Sequence, residues 1–126
     1  MPALVDTSVL IDHLRGRSEA KALLDGEFVL GEPLFASVLT KVELLAGMRR
    51  AEDSRTRALF SSLVWIDVTE AIAERAGALA MRYLRSHPGI DTVDLVIAAT
   101  REVLDVPLWT LNVRHFPMIR DLRPPY

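Results

Sequence analysis

The sequence contains no cysteine, which excludes a disulfide framework and every thiolate metal site. Any metal must therefore be held by oxygen or imidazole, a donor set that suits hard cations. Lysine is nearly absent as well: Lys21 and Lys41 are the only two, and every other basic residue is an arginine. Long apolar runs are missing too, none approaching the roughly 20 residues that a membrane span needs. The opening segment, MPALVDTSVLIDHLRGR, has no basic stretch ahead of its apolar part, unlike a secretory leader. The expectation is a cytoplasmic protein without membrane contact. Repeats, low-complexity tracts and linkers are also lacking. The 126 residues, 50% of them hydrophobic, are then expected to form a single domain over 1–126 with a substantial core.

The formal net charge is −2, which by itself does not suggest a nucleic-acid partner. Its distribution matters more. Arginines cluster at Arg49–Arg50 and at Arg55 and Arg57, and a guanidinium binds phosphate in a bidentate manner that lysine cannot match. If several carboxylates converge on a cation, the rest of the surface is more basic than the sum implies, a balance compatible with a nucleic-acid substrate.

Along the chain, strand-like and helix-like segments alternate. Ala3–Asp6 reads as a strand, and Thr7–Ser8 can cap an amphipathic helix over Val9–Leu14 that stops at Gly16. A short helix over Ser18–Leu24 is followed by a strand interrupted near Pro33, made of Phe28–Leu30 and Leu34–Ala36. Thr40–Arg50 and Glu52–Leu63 read as a helical hairpin, and Val64–Val68 as a strand. The apolar positions Ile72, Ala76, Leu79, Ala80, Tyr83 and Leu84 recur at helical spacing from Thr69 onward until His87-Pro88-Gly89. A last helix, Asp91 to Leu104, precedes a strand over Leu108–Leu111. Such alternation predicts an α/β fold of three layers, α/β/α, with a mainly parallel central sheet.

Within the last helix, the stretch IDTVDLVIAAT sets two acids three residues apart just before an apolar run. Asp91 suits the N-cap, and Asp94 suits the third helical position, where acids take up free N–H groups. The five residues after Asp94, Leu95 to Ala99, leave the helix almost no polar face, so Asp94 enters a largely buried setting and needs a partner there. Two more acids stand out. Asp6 ends the first strand, where ligands of open parallel sheets bind, although it can equally cap the helix that follows. Glu43, in TKVELLAG, shares its helical face with Leu39, Ala46 and Gly47, which leaves room for something to approach; alone it is an ordinary helix acid.

Together, VDTSVLID, KVELLAG and DLVIAAT with Asp6, Glu43 and Asp94 resemble the PIN-domain ribonucleases, and within them the small bacterial VapC toxins of toxin–antitoxin pairs. The resemblance extends over essentially the whole chain, including the C-terminal WTLNVRHFP. It implies a PIN-like fold and a metal-dependent endoribonuclease that hydrolyses RNA phosphodiester bonds using Mg²⁺ or Mn²⁺. It further implies a VapB-like antitoxin partner and a homodimer. On this reading Asp6 and Asp94 are the principal metal ligands and Glu43 is a ligand or a water-orienting base. Asp91 is chiefly the cap, with a second-metal role left open. PIN domains often place a fourth acid within or three residues beyond a T-x-N or T-x-D motif, and here those positions hold Asn112 and His115. A tightly held second metal is therefore not expected. Thr110 and Asn112 are positioned to hydrogen-bond the acids or a bound water, and His115 to hold a substrate phosphate or to pack with Phe116.

Two other classes stay open at this point. A phosphotransfer domain would use Asp6 as acceptor, but the dehalogenase pattern wants a second acid where Ser8 stands, and a receiver wants paired acids at the first strand. A non-catalytic α/β interaction module would treat all these acids as caps.

Overall fold

In the computed structural model, which describes residues 1–126, four strands form one all-parallel sheet in the order β3-β2-β1-β4: Ala3–Val5 (β1), Leu34–Ser37 (β2), Val64–Ile66 (β3) and Leu108–Trp109 (β4). The period of two along each strand sorts the core into two halves. Ala3, Val5, Leu34, Ala36 and Trp109 point into one cluster, which the helices Thr7–Leu14 (α1), Ser18–Leu30 (α2), Val38–Gly47 (α3) and Asp53–Ser62 (α4) cover. Leu4, Phe35, Ile66 and Leu108 point into the other, beneath Glu70–Tyr83 (α5) and Thr92–Leu104 (α6). Both faces are buried, as a parallel sheet requires, and the three-layer α/β/α expectation holds. No helix is long and apolar enough to cross a membrane.

The chain leaves β1 for β2 and β3 on one side, then returns to place β4 on the other side of β1. That reversal makes the crevice between the carboxyl ends of β1 and β4 the natural binding position. The segments bordering it follow from local chemistry. Ser37 caps α3 by accepting the Leu39 N–H at 3.2 Å, so the helix starts ahead of Thr40, which is fully buried instead. Thr69 caps α5 through the Ile72 N–H at 3.2 Å.

Several expected boundaries shift. Phe28–Leu30 is not a strand but the last turn of α2, which ends at Gly31 in the left-handed region at φ 73°. A strand would alternate its apolar side chains, yet Val29 and Leu30 are both strongly exposed while Phe28 packs inward. The helical bonds to Gly31 decide the matter. β3 stops at Ile66 rather than Val68, and α5 ends at Tyr83, short of His87. β4 stops at Trp109, because the next residues turn toward β1.

Candidate active site

Asp6 stands at the N-cap of α1, immediately beyond β1, and its side chain makes no capping bond. Its carboxylate turns across the sheet instead: the Thr110 hydroxyl, just past β4, donates to Asp6 Oδ2 at 2.7 Å, and Ser8 Oγ reaches the same oxygen at 3.5 Å. The two hydroxyls lie 3.5 Å from each other. Ser8 Oγ also accepts the Leu111 N–H, and Thr110 Oγ1 accepts the Asn112 N–H, both at 3.0 Å. Thr7 and Ser8 thus serve the site rather than the helix cap. Asp6 is only 7% exposed; desolvation raises its pKa above the ordinary carboxylate value, opposed by hydrogen bonds from Thr110, the Thr7 amide and Ser8.

Asp94 arrives from α6. Its backbone N–H donates to Asp91 Oδ1 at 2.8 Å, and the Asp91 N–H donates to Asp94 Oδ2 at 3.1 Å, a reciprocal capping box. Asp91 is the cap, as the spacing predicted, but Asp94 shares in it through one oxygen. The same Oδ2 faces His115 Nδ1 at 3.2 Å. Asp94 has a raised pKa, first through desolvation and further through the charges of Asp91 and Asp6, against the lowering effects of the Asp91 amide and His115. Asp6, Asp94 and His115 therefore belong to one electrostatic cluster, and His115 occupies the flank where the family pattern has an acid.

Glu43 sits on an exposed face of α3 beside exposed Ala46 and Gly47. Thr7 Oγ1 donates to its Oε1 at 2.6 Å, which ties it to the residue following Asp6. Asn112 contributes its backbone N–H to Thr110, with no side-chain bond to either acid. Thr7 and Ser8 are the site residues that the sequence reading assigned elsewhere; the signal was the pair of hydroxyls directly after a strand-ending acid. Trp65 and Trp109 are packing residues: the Trp65 indole N–H donates to Phe60 O at 3.0 Å, and Trp109 is buried.

No three His, Cys, Asp or Glu side chains meet closely enough to form a ready cage for a metal. A divalent cation of the Mg²⁺ kind needs none, since it keeps several waters and takes one or two carboxylates. The oxygen-only pair Asp6 and Asp94 fits that demand, each destabilised as an anion by burial.

The double use of Asp94 separates it from Asp91 experimentally. Asp91→Ala removes one capping acceptor, so it should lower stability by about 1 kcal/mol and reduce activity only partly. Chemical unfolding and activity measured at equal folded fraction test this; an activity loss equal to that of Asp94→Ala would move Asp91 into direct contact with the reaction.

Comparison with known proteins agrees with this fold. Residues 3–119 match the PIN domain family. The chain is 53% identical over 123 residues to Ribonuclease VapC19 of Mycobacterium tuberculosis, covering 98% of both chains. It is 32% identical over 121 residues to Ribonuclease VapC1 of Methanocaldococcus jannaschii, covering 94% and 81%. Among solved structures, a toxin-antitoxin complex from Klebsiella pneumoniae superposes with a TM-score of 0.81 at 32% identity, covering 98% of each chain. A DNA-bound VapBC from Salmonella typhimurium shares the fold at 18% identity, with a TM-score of 0.81 over 98% of this chain and 96% of that one.

Proposed function

The chain belongs to the PIN-domain family, and on that premise we propose that it is a VapC-type toxin, a ribonuclease that hydrolyses RNA phosphodiester bonds with Mg²⁺ or Mn²⁺. One observation carries the reading: Asp6, beyond the carboxyl end of β1 at the switch point, is held by hydroxyls rather than basic side chains, and its charge acts on Asp94 in the first turn of α6. A structural acid so buried would normally be paired with a cation.

Asp6 and Asp94 would hold the ion, which supplies polarisation of the phosphoryl oxygen and stabilises charge developing there. The remaining work falls to the chain. Thr110 and Ser8 fix one oxygen of Asp6, and the capping box fixes one oxygen of Asp94, so neither carboxylate must reorganise when substrate arrives. Glu43, held by Thr7, is an ionisable group on an open face, suited to orient a water and take its proton. His115, against Asp94 Oδ2 at 3.2 Å, would contact a substrate phosphate.

The partner belongs to the same reading. A groove of about 380 Å³ runs past Glu43 between α1 and the α3–α4 hairpin, lined by Ile11, Leu14 and Leu44. An antitoxin segment lying there could reach the acids with an arginine and replace the cation's charge. The homodimer and the cytoplasmic site of action are likewise part of the proposal.

The test is RNA cleavage by the purified chain. Activity should vanish in chelator and return with Mg²⁺ or Mn²⁺. Cleavage indifferent to chelation would remove the metal from the proposal, and RNA left intact under all conditions would favour an interaction module.

A further inference from the structure

Away from the acids, a cavity of about 310 Å³ lies against the outer edge of β4, lined by Leu108 and Trp109 of that strand, by Arg101 of α6 and by Arg120 and Arg123 of the C-terminal segment. Three arginines and one acid, Asp121, are the charged residues of its lining. None of the three arginines enters an ion pair. Arg101 Nε is buried without any acceptor, and an unsatisfied buried donor is unfavourable. In a chain of net charge −2, three unpaired arginines around one hollow concentrate positive potential there.

Arg101 is two turns along α6 from Asp94, at the i+7 position on the same face, so the two are about 10 Å apart along the helix axis. That span matches one or two steps of a nucleic-acid backbone. Likewise, Leu108 and Trp109 stand immediately before Thr110, so β4 carries the cavity at one end and a partner of Asp6 at the other.

We infer that this cavity is a phosphate-binding subsite, in which Arg101, Arg120 and Arg123 grip the backbone of the RNA strand one or two nucleotides from the bond at Asp6 and Asp94. The Nη groups of Arg101 supply the N–H donors to phosphate oxygens, while exposed Arg120 and Arg123 close over the anion. The source of the phosphate rests on the ribonuclease reading; the anion site does not.

Two measurements separate those parts. In the first, inorganic phosphate is titrated against the full chain while thermal unfolding is followed. The parent should gain stability saturably, and Arg101→Gln and the double variant R120A/R123A should lose that gain. The double variant changes exposed residues only, so it keeps the test meaningful if Arg101→Gln folds poorly. No saturable gain, or an equal gain in the double variant, overturns the site. The second measures binding of a single-stranded RNA decamer in chelator as salt is varied. Losing two phosphate contacts should weaken binding several-fold and reduce the salt slope by about 1.4, at roughly 0.7 per contact on single strands. An unchanged slope with phosphate protection lost would show that the cavity takes a free phosphate compound, and would overturn the assignment to the RNA strand. Phosphate protection that persists in a chain unable to cut RNA supports the anion site while removing the ribonuclease reading.

Discussion

Asp6→Asn and Asp94→Asn should each lower RNA cleavage by more than about 100-fold, beyond what loss of an outer hydrogen-bond partner costs, while raising the unfolding temperature of the metal-free protein at neutral pH by several degrees. The two effects have one origin. Both carboxylates have pKa values raised in the folded state, Asp6 by desolvation and Asp94 by desolvation with the added repulsion of Asp91 and Asp6. A raised folded pKa means that the folded state binds protons more readily than the unfolded one. Its contribution to stability is then fully present below the unfolded value, near 3.8, and is lost as pH rises through the folded value. At neutral pH the native protein carries the whole cost of two confined charges. Asparagine never ionises, so the variants should exceed the parent at pH 7 and draw level with it in acid. In the Asp6→Asn variant the new amide oxygen would still accept the Thr110 hydroxyl. Thermal unfolding in chelator at both pH values, alongside an RNA cleavage assay, checks the pair. A fall in the midpoint at pH 7 for both variants would make these acids structural and sink the metal-site reading.

Thr110→Val is expected to reduce cleavage about 10- to 100-fold, the range for partners that orient a metal-binding carboxylate, and to destabilise the chain by about 1–3 kcal/mol. The hydroxyl is fully buried and does two jobs: it donates to Asp6 and accepts the Asn112 N–H. Valine fills the same space but leaves the Asn112 N–H without its acceptor and Asp6 without its shortest bond. Thr110→Ser keeps the oxygen and should recover most of the activity, which separates positioning from packing. A valine variant with parental turnover at saturating metal would show that Asp6 needs no such anchor.

What could be read from the sequence was what local chemistry decides. The capping box of Asp91 and Asp94 was legible because both partners lie within one helical turn, and Asp6 because the strand-ending acid precedes an amphipathic helix. The small-residue face around Glu43 followed from helical spacing, whereas its exposure was shown only by the fold. Phe28–Leu30 misled because three apolar residues before a turn suit a strand or a helix end equally; the helix was settled by backbone bonding at Gly31. The links that make a site out of these acids were not legible from spacing; only the family resemblance pointed to Thr110 as a partner of the acids. Thr7 meets Glu43 across 36 residues and Thr110 meets Asp6 across 104, and spacing along a chain says nothing about contacts that only sheet order creates. Family resemblance had to supply the grouping, and the fold then showed its bonds.

The placement of β4 has a consequence for the order of synthesis. Asp6 leaves the ribosome 104 residues ahead of the hydroxyl that anchors it. Every nascent chain that carries the acids but not yet Leu108–Thr110 lacks the edge strand and the anchor together. A site assembled in this way is incomplete until Leu108–Thr110 has been made, and a stop codon between Asp94 and that strand yields a fragment with its carboxylates present and unsupported.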